Sequence, residues 1–176
     1  MEIKRIEEFQ IDESTAKSIK ELLRKCFPEY PWQRIYYKQI PSFRYLVFEG
    51  DILIGHMGVE HRMMNIGAQA ASVFGVVDIC ISPDFQHRKV ASSLLQELET
   101  LGRQHQIDFI VLIAQNHQLY KTNGFQLHNN TCRWLMINEH QTLGVNHRHI
   151  DDCLMVKALG EKTWNQGLVD FLGYVF

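Results

Sequence analysis

Apolar residues recur at two periods along this chain, and the changes of period mark its elements. In residues 12–26, Ile19, Leu22, Leu23 and Cys26 return at helical spacing, and Asp12 to Thr15 offer capping oxygens, which predicts an amphipathic helix. The same stripe returns in residues 86–105 through Val90, Leu94, Leu95, Leu98 and Leu101. A third, short helix is expected over residues 117–123, ending at Gly124 as a left-handed cap, and a fourth over residues 32–40 after the break PEYPW. Strand character appears in the first nine residues. It returns in residues 43–67 as two strands around the turn Glu49-Gly50-Asp51, and in residues 72–82. Residues 108–114 form a continuous apolar run of the kind buried on both faces. Further strands are expected at 125–137 and 152–159, with a polar loop between them.

Strands 73–82 and 108–114, joined by helix 86–105, make a βαβ unit and should pair in parallel. The early hairpin places antiparallel strands beside them. The expected fold is therefore α+β, one domain over residues 1–176, with a mixed, mostly antiparallel sheet flanked by helices.

Composition narrows the chemistry. At 176 residues with 45% hydrophobic and 22% charged positions, the chain reads as globular. A net charge of −2 argues against a nucleic-acid surface, which needs a basic excess. The N-terminus MEIKRIEEFQ is too charged for a signal peptide, and no apolar run reaches the roughly 18–20 residues of a membrane span. Cys26, Cys80, Cys132 and Cys153 form no CxxC pair, which suits a reducing compartment. A cytoplasmic protein is expected, with no nucleic-acid or membrane partner; a homodimer is left open.

The strand VVDICISP leads directly into DFQHRKVASSLL, a strand, loop and helix start of the layout that holds phosphate groups. About 25 residues later comes AQNHQLYKTNGF. Together these stretches resemble the GCN5-related N-acetyltransferase superfamily. Its central motif is a strand followed by Arg/Gln-x-x-Gly-x-Gly/Ala at a helix start, and its next motif ends Tyr-x-x-x-Gly-Phe. Here the first is Gln86-His87-Arg88-Lys89-Val90-Ala91 and the second runs from Tyr120 to Gly124-Phe125. The element order from residue 1 to about 137 also follows that fold.

The resemblance implies acetyl-coenzyme A as co-substrate, a primary amine on a small molecule as acceptor, and no metal. It places the pyrophosphate against the N–H groups of Gln86, His87, Arg88, Lys89, Val90, Ala91 and Ser92. The pantetheine arm would lie along Ile79, Cys80 and Ile81, with its amides near Asn116. Lys89 stands where the family has a glycine. A lysine can still present its N–H to an anion in helical conformation, and its side chain adds a cation; the plainer reading of Arg88 and Lys89 is two solvated charges. Ile79 and Ile81 are equally core residues, and Asn116 equally an N-cap.

Asp78 is the most informative residue. A carboxylate inside an apolar strand costs several kcal/mol unless partnered or wetted. It is either a general base for an ammonium of pKa about 10.4, or a structural carboxylate paired with a basic neighbour or a backbone group. Tyr120 matches the family's general acid to the departing thiolate, or packs its ring beneath the strand-to-helix junction. Cys80 reads as buried, against an acyl-cysteine route. His147, Arg148, His149, Asp151 and Asp152 read as a solvated loop rather than a metal site. The C-terminal stretch with Trp164-x-x-Gly167 is similar to the ends of aminoglycoside 2′-acetyltransferases, where it borders the acceptor site; otherwise Trp164 is a hydrophobic anchor. Rival readings are an acyl-coenzyme A-binding module without activity and a transferase of longer acyl chains.

Overall fold

The computed structural model describes all residues, 1–176. Strand β1 (Glu2–Glu7) is followed by helix α1 (Glu13–Cys26), then β2 (Phe43–Glu49), β3 (Ile52–Ile66) and β4 (Gln69–Ile81). Helix α2 (Val90–Gln104), β5 (Phe109–Ile113), helix α3 (Gln118–Thr122), β6 (Gln126–Asn138), β7 (Gln141–Ala158) and the short β8 (Val169–Asp170) complete the chain. The strands hydrogen-bond in the order β1-β2-β3-β4-β5-β7-β6-β8, with β3 also meeting β8. This is the expected α+β class. Packing gathers the chain into two compact units, Met1–Glu60 with Val76–Leu95, and His61–Gly75 with Gln96–Phe176; β3, β4 and α2 each contribute to both.

In the first unit β1, β2 and β3 form an antiparallel meander, with Ile3 opposite Val47 and Leu46 opposite His56. Helix α1 starts where Asp12 accepts the Thr15 N–H at 2.7 Å, the cap its sequence offers. It buries Ile19, Leu22 and Leu23 in a cluster with Tyr30, Leu46, Leu53 and Cys80. In the second unit β4 pairs in parallel with β5, Val73 opposite Phe109, as the βαβ reading predicts. Strands β5, β7 and β6 continue antiparallel around a core of Val73, Phe109, Val111, Val156, Trp164 and Phe171.

Three expectations are corrected. Residues 32–40 form no helix: the Arg34 guanidinium donates to the Tyr36 and Tyr37 carbonyls, satisfying backbone groups that a helix would use, between Pro31 and Pro41. Residues 141–151 are not a loop but the first part of β7, paired along its length with β6. Helix α2 starts at Val90 rather than at residue 86, because His87 and Lys89 have left-handed backbones, φ +61° and +63°.

Candidate active site

Strand β4 carries an irregularity at its one carboxylate. Asp78 has φ +52°, a left-handed residue inside a strand, where it turns the backbone out of the regular pleat. Its side chain is held by Tyr30, whose hydroxyl donates to Asp78 Oδ2 at 2.6 Å. Burial raises the carboxyl pKa above its ordinary value, while the Tyr30 bond and the charges of Arg44 and Lys38 pull it back down. A phenol thus holds the carboxylate by a hydrogen bond, with basic neighbours of the kind considered from sequence, Arg44 and Lys38, acting on it through their charges. Tyr30 in turn is pushed up by burial and by the Asp78 charge, so it keeps its proton and remains the donor.

The backbone of Asp78 has its own support. The His56 ring bonds through Nδ1 to the Asp78 carbonyl at 2.8 Å and through Nε2 to Arg44 Nη1 at 2.8 Å. Arg44 is completely buried and reaches Glu8 with two bonds, Nε to Oε2 at 2.6 Å and Nη2 to Oε1 at 2.9 Å. A guanidinium only donates, so Nε2 of His56 is the acceptor and Nδ1 carries the hydrogen given to Asp78. Burial first, and the Arg44 charge second, lower the His56 pKa to about 3, so the ring is neutral. The register explains the contact: Leu46 stands opposite His56 and Arg44 opposite Gly58, which makes Arg44 and His56 diagonal neighbours on one face.

Beyond Asp78, Ile79 is half-buried, and Cys80 and Ile81 are buried. The Ile81 carbonyl accepts from the Gln86 amide at 3.2 Å and from the Cys26 thiol at 3.5 Å. Contact with Cys26 and burial push the Cys80 thiol up, which leaves no thiolate for covalent chemistry. The loop then leads to α2. Its first helical bond runs from Ser93 N–H to Lys89 O at 2.9 Å, which places Val90 and Ala91 in the first turn, where backbone N–H groups have no intrahelical acceptor. His87 and Lys89 have left-handed backbones on either side of Arg88, and left-handed residues are an ingredient of backbone turns that hold anions. A lysine at the motif's glycine position thus adopts the glycine conformation, not the helical one expected. Arg88 lies over the Phe85 ring, 5.0 Å from its centroid.

Tyr120 and Asn116 belong to the second unit. Tyr120 is buried in α3 with its ring edge-on to Phe125 at 5.8 Å, and burial raises its pKa, keeping the hydroxyl protonated. Asn116 precedes α3 and accepts the Gln118 N–H at 3.2 Å; the N-cap position itself is His117. Gly124 follows with φ +83°, the expected cap. Trp164 is a core residue: its indole N–H donates to Asn130 at 3.0 Å and its ring meets Phe109 edge-on. His147, Arg148 and His149 lie in β7 opposite Arg133, Cys132 and Thr131, and no group of three His, Cys, Asp or Glu is placed to hold a metal ion.

The profile of the acetyltransferase (GNAT) domain matches residues 6–128. The chain belongs to the GNAT acetyltransferases. Comparison with curated protein sequences gives no match. Among solved structures, the fold is similar to the GNAT family N-acetyltransferase YhbS from Escherichia coli in complex with CoA, at 15% identity and TM-score 0.65 over 96% of this chain and 88% of that one. It is also similar to a GNAT acetyltransferase from Brucella melitensis in complex with acetyl-CoA, at 14% identity and TM-score 0.60 over 96% and 94%. A larger relative, the GCN5-related N-acetyltransferase from Anabaena variabilis, matches at TM-score 0.59 and 15% identity over 75% of this chain, which spans only 34% of it.

Four residues of the GNAT chain's Asp78 network, Glu8, Tyr30, Arg44 and His56, escape the sequence reading. Arg44 and His56 carry the same signal that singles out Asp78, a polar group in an apolar strand. Tyr30 carries none, being 48 residues from its partner.

Proposed function

We propose that this protein transfers an acetyl group from acetyl-coenzyme A to a primary amine of a small molecule, with Asp78 as the base. The observation that carries the reading is the half-sequestered Asp78 carboxylate, held by Tyr30 and raised in proton affinity by burial. Such a group is better matched to taking a proton from an ammonium than an ordinary solvated aspartate. The start of α2 suits acetyl-coenzyme A: the first-turn N–H groups at Val90 and Ala91, the left-handed loop before them, and the cations Arg88 and Lys89 all favour a pyrophosphate. The bound CoA and acetyl-CoA of the two relatives support the same co-substrate.

In this reading Ile79 to Ile81 flank the pantetheine arm, and the Ile81 carbonyl is already committed to Gln86. The amine, once deprotonated, attacks the thioester directly, and proximity supplies most of the acceleration. Tyr120 is assigned as proton donor to the thiolate on its motif match, and its protonated hydroxyl suits that role. Asn116 keeps its amide N–H groups for the pantetheine. The buried Trp164 lends no support to an amino-sugar acceptor, so the acceptor is described only as a small primary amine.

The test is Asp78→Asn, which tolerates the left-handed backbone and removes only the proton acceptor. Thiol release from acetyl-coenzyme A with a panel of amines should fall by about 10²–10⁴-fold at neutral pH. The loss should shrink as pH rises, because more amine arrives deprotonated. Near-normal turnover per folded molecule would overturn the base assignment, and absence of thiol release from the wild-type protein with every amine would favour a binding module.

A further inference from the structure

The polar chain behind Asp78 does more than fill the sheet. Glu8, Arg44 and His56 are linked end to end, and the last bond reaches not the carboxylate but the backbone carbonyl of Asp78. That carbonyl belongs to the left-handed residue, whose φ of +52° is unfavourable for a side-chain-bearing residue by about 1–2 kcal/mol. A strained conformation persists only where its surroundings over-determine it. Two bonds do so here: Tyr30 holds the side chain and His56 holds the peptide.

We propose that His56 is a positioning residue: its Nδ1–H clamps the Asp78 carbonyl and so holds the carboxylate in its working direction. The clamp requires one tautomer, and Arg44 selects it. With guanidinium donating to Nε2, the hydrogen must sit on Nδ1. Glu8 holds Arg44 in turn through a two-point bond, which keeps the guanidinium plane aimed at the ring. The charged or titratable groups around the ring and the Asp78 turn are Arg44 and Glu8 from β2 and the residues after β1, Tyr30 and Lys38 from the segment after α1, and Cys80 from β4. The proposal rests on Asp78 being the base, but its first readout does not.

That first readout is the ring itself. Long-range proton–nitrogen correlation spectra of the wild-type protein should show His56 neutral and protonated at Nδ1 from pH 8 down to pH 5. A ring that carries its hydrogen on Nε2, or that titrates in this range, overturns the proposal whatever Asp78 does. The second readout uses two amides that each keep one half of the imidazole. His56→Asn places a donor near the Nδ1 position and abandons Arg44, whereas His56→Gln keeps an acceptor for Arg44 and abandons the Asp78 carbonyl. Per folded molecule, His56→Asn should keep kcat within about threefold, and His56→Gln should lose about 100-fold, the scale of a misplaced catalytic group, with KM for acetyl-coenzyme A unchanged. Equal losses in both variants, or the reverse order, overturn the clamp and make His56 a partner for Arg44 alone. If the tautomer holds while Asp78→Asn is fully active, the base reading fails and the clamp remains as a feature of the fold.

Discussion

Lys89 occupies a backbone conformation that favours glycine, at the glycine position of the motif that Gln86 to Ala91 resembles. The sequence alone leaves the lysine free to be helical, because helix propensity reads a lysine there as harmless. The two conformations order substitutions oppositely. In a helix, alanine is more stabilising than glycine by about 1 kcal/mol; at a left-handed residue the order reverses by a similar amount. Urea unfolding of Lys89→Gly and Lys89→Ala should therefore place the glycine variant above the alanine variant by about 1 kcal/mol. Both should bind acetyl-coenzyme A more weakly than wild type through loss of the cation. A more stable alanine variant would mean that α2 begins earlier than the structure has it.

Among the elements, β4 is constrained at Gly75 as well as at Asp78. A Cβ built on Gly75 would lie 2.0 Å from the Phe176 ring, which sits against the bare backbone. Gly75→Ala should cost about 1–3 kcal/mol by overpacking. The cost should shrink in the double variant with Phe176→Ala, because the clash needs both partners; additive losses in urea unfolding would show that the ring is displaced at no cost. This contact is invisible in sequence, where Gly75 interrupts a strand without revealing what covers it. The periodic elements are legible because period and burial coincide, as in Ile19, Leu22 and Leu23 of α1. Prediction fails where they part. The first part of β7 is exposed on most positions, so its polarity resembles a loop, yet its ladder to β6 satisfies the backbone. Residues 32–40 have apolar spacing but lose their carbonyls to Arg34. At the site, Asp78 could be found as a misplaced charge, whereas its partner Tyr30 is set by tertiary packing alone.

At the scale of the molecule, the buried imidazole makes stability depend on pH. His56 has a folded pKa of about 3 and an unfolded one of about 6.5, so the unfolded chain binds the proton first. Stability is fully present above about pH 6.5 and falls by about 1.4 kcal/mol per unit as pH drops toward 3. His128, also lowered by burial, acts in the same direction. Asp78, raised by burial, acts in the opposite one, since its protonation relieves a buried charge. Carboxylates lowered by partners, such as Glu99 with Lys157 and Asp170 with Arg133, add their losses only below about pH 4.5. Thermal unfolding should therefore show a falling midpoint between pH 7 and pH 5, flattened in His56→Asn. A midpoint independent of pH in that window would mean that the ring is not held neutral.

The Glu8–Arg44 pair also shapes how this sequence can drift. Arg44 is fully buried, whereas the Glu8 side chain is 19% exposed; loss of either breaks the pair, and loss of Glu8 strands the buried guanidinium at a cost of about 3 kcal/mol or more. Replacement of both by apolar residues can be neutral. The two positions, 36 apart in the chain, thus behave as a single inherited unit: a lineage that abandons one must cross a destabilised intermediate or change both together. An apolar pair would leave the buried His56 Nε2 without its donor, and only the Asp78 carbonyl would then hold the ring's hydrogen on Nδ1.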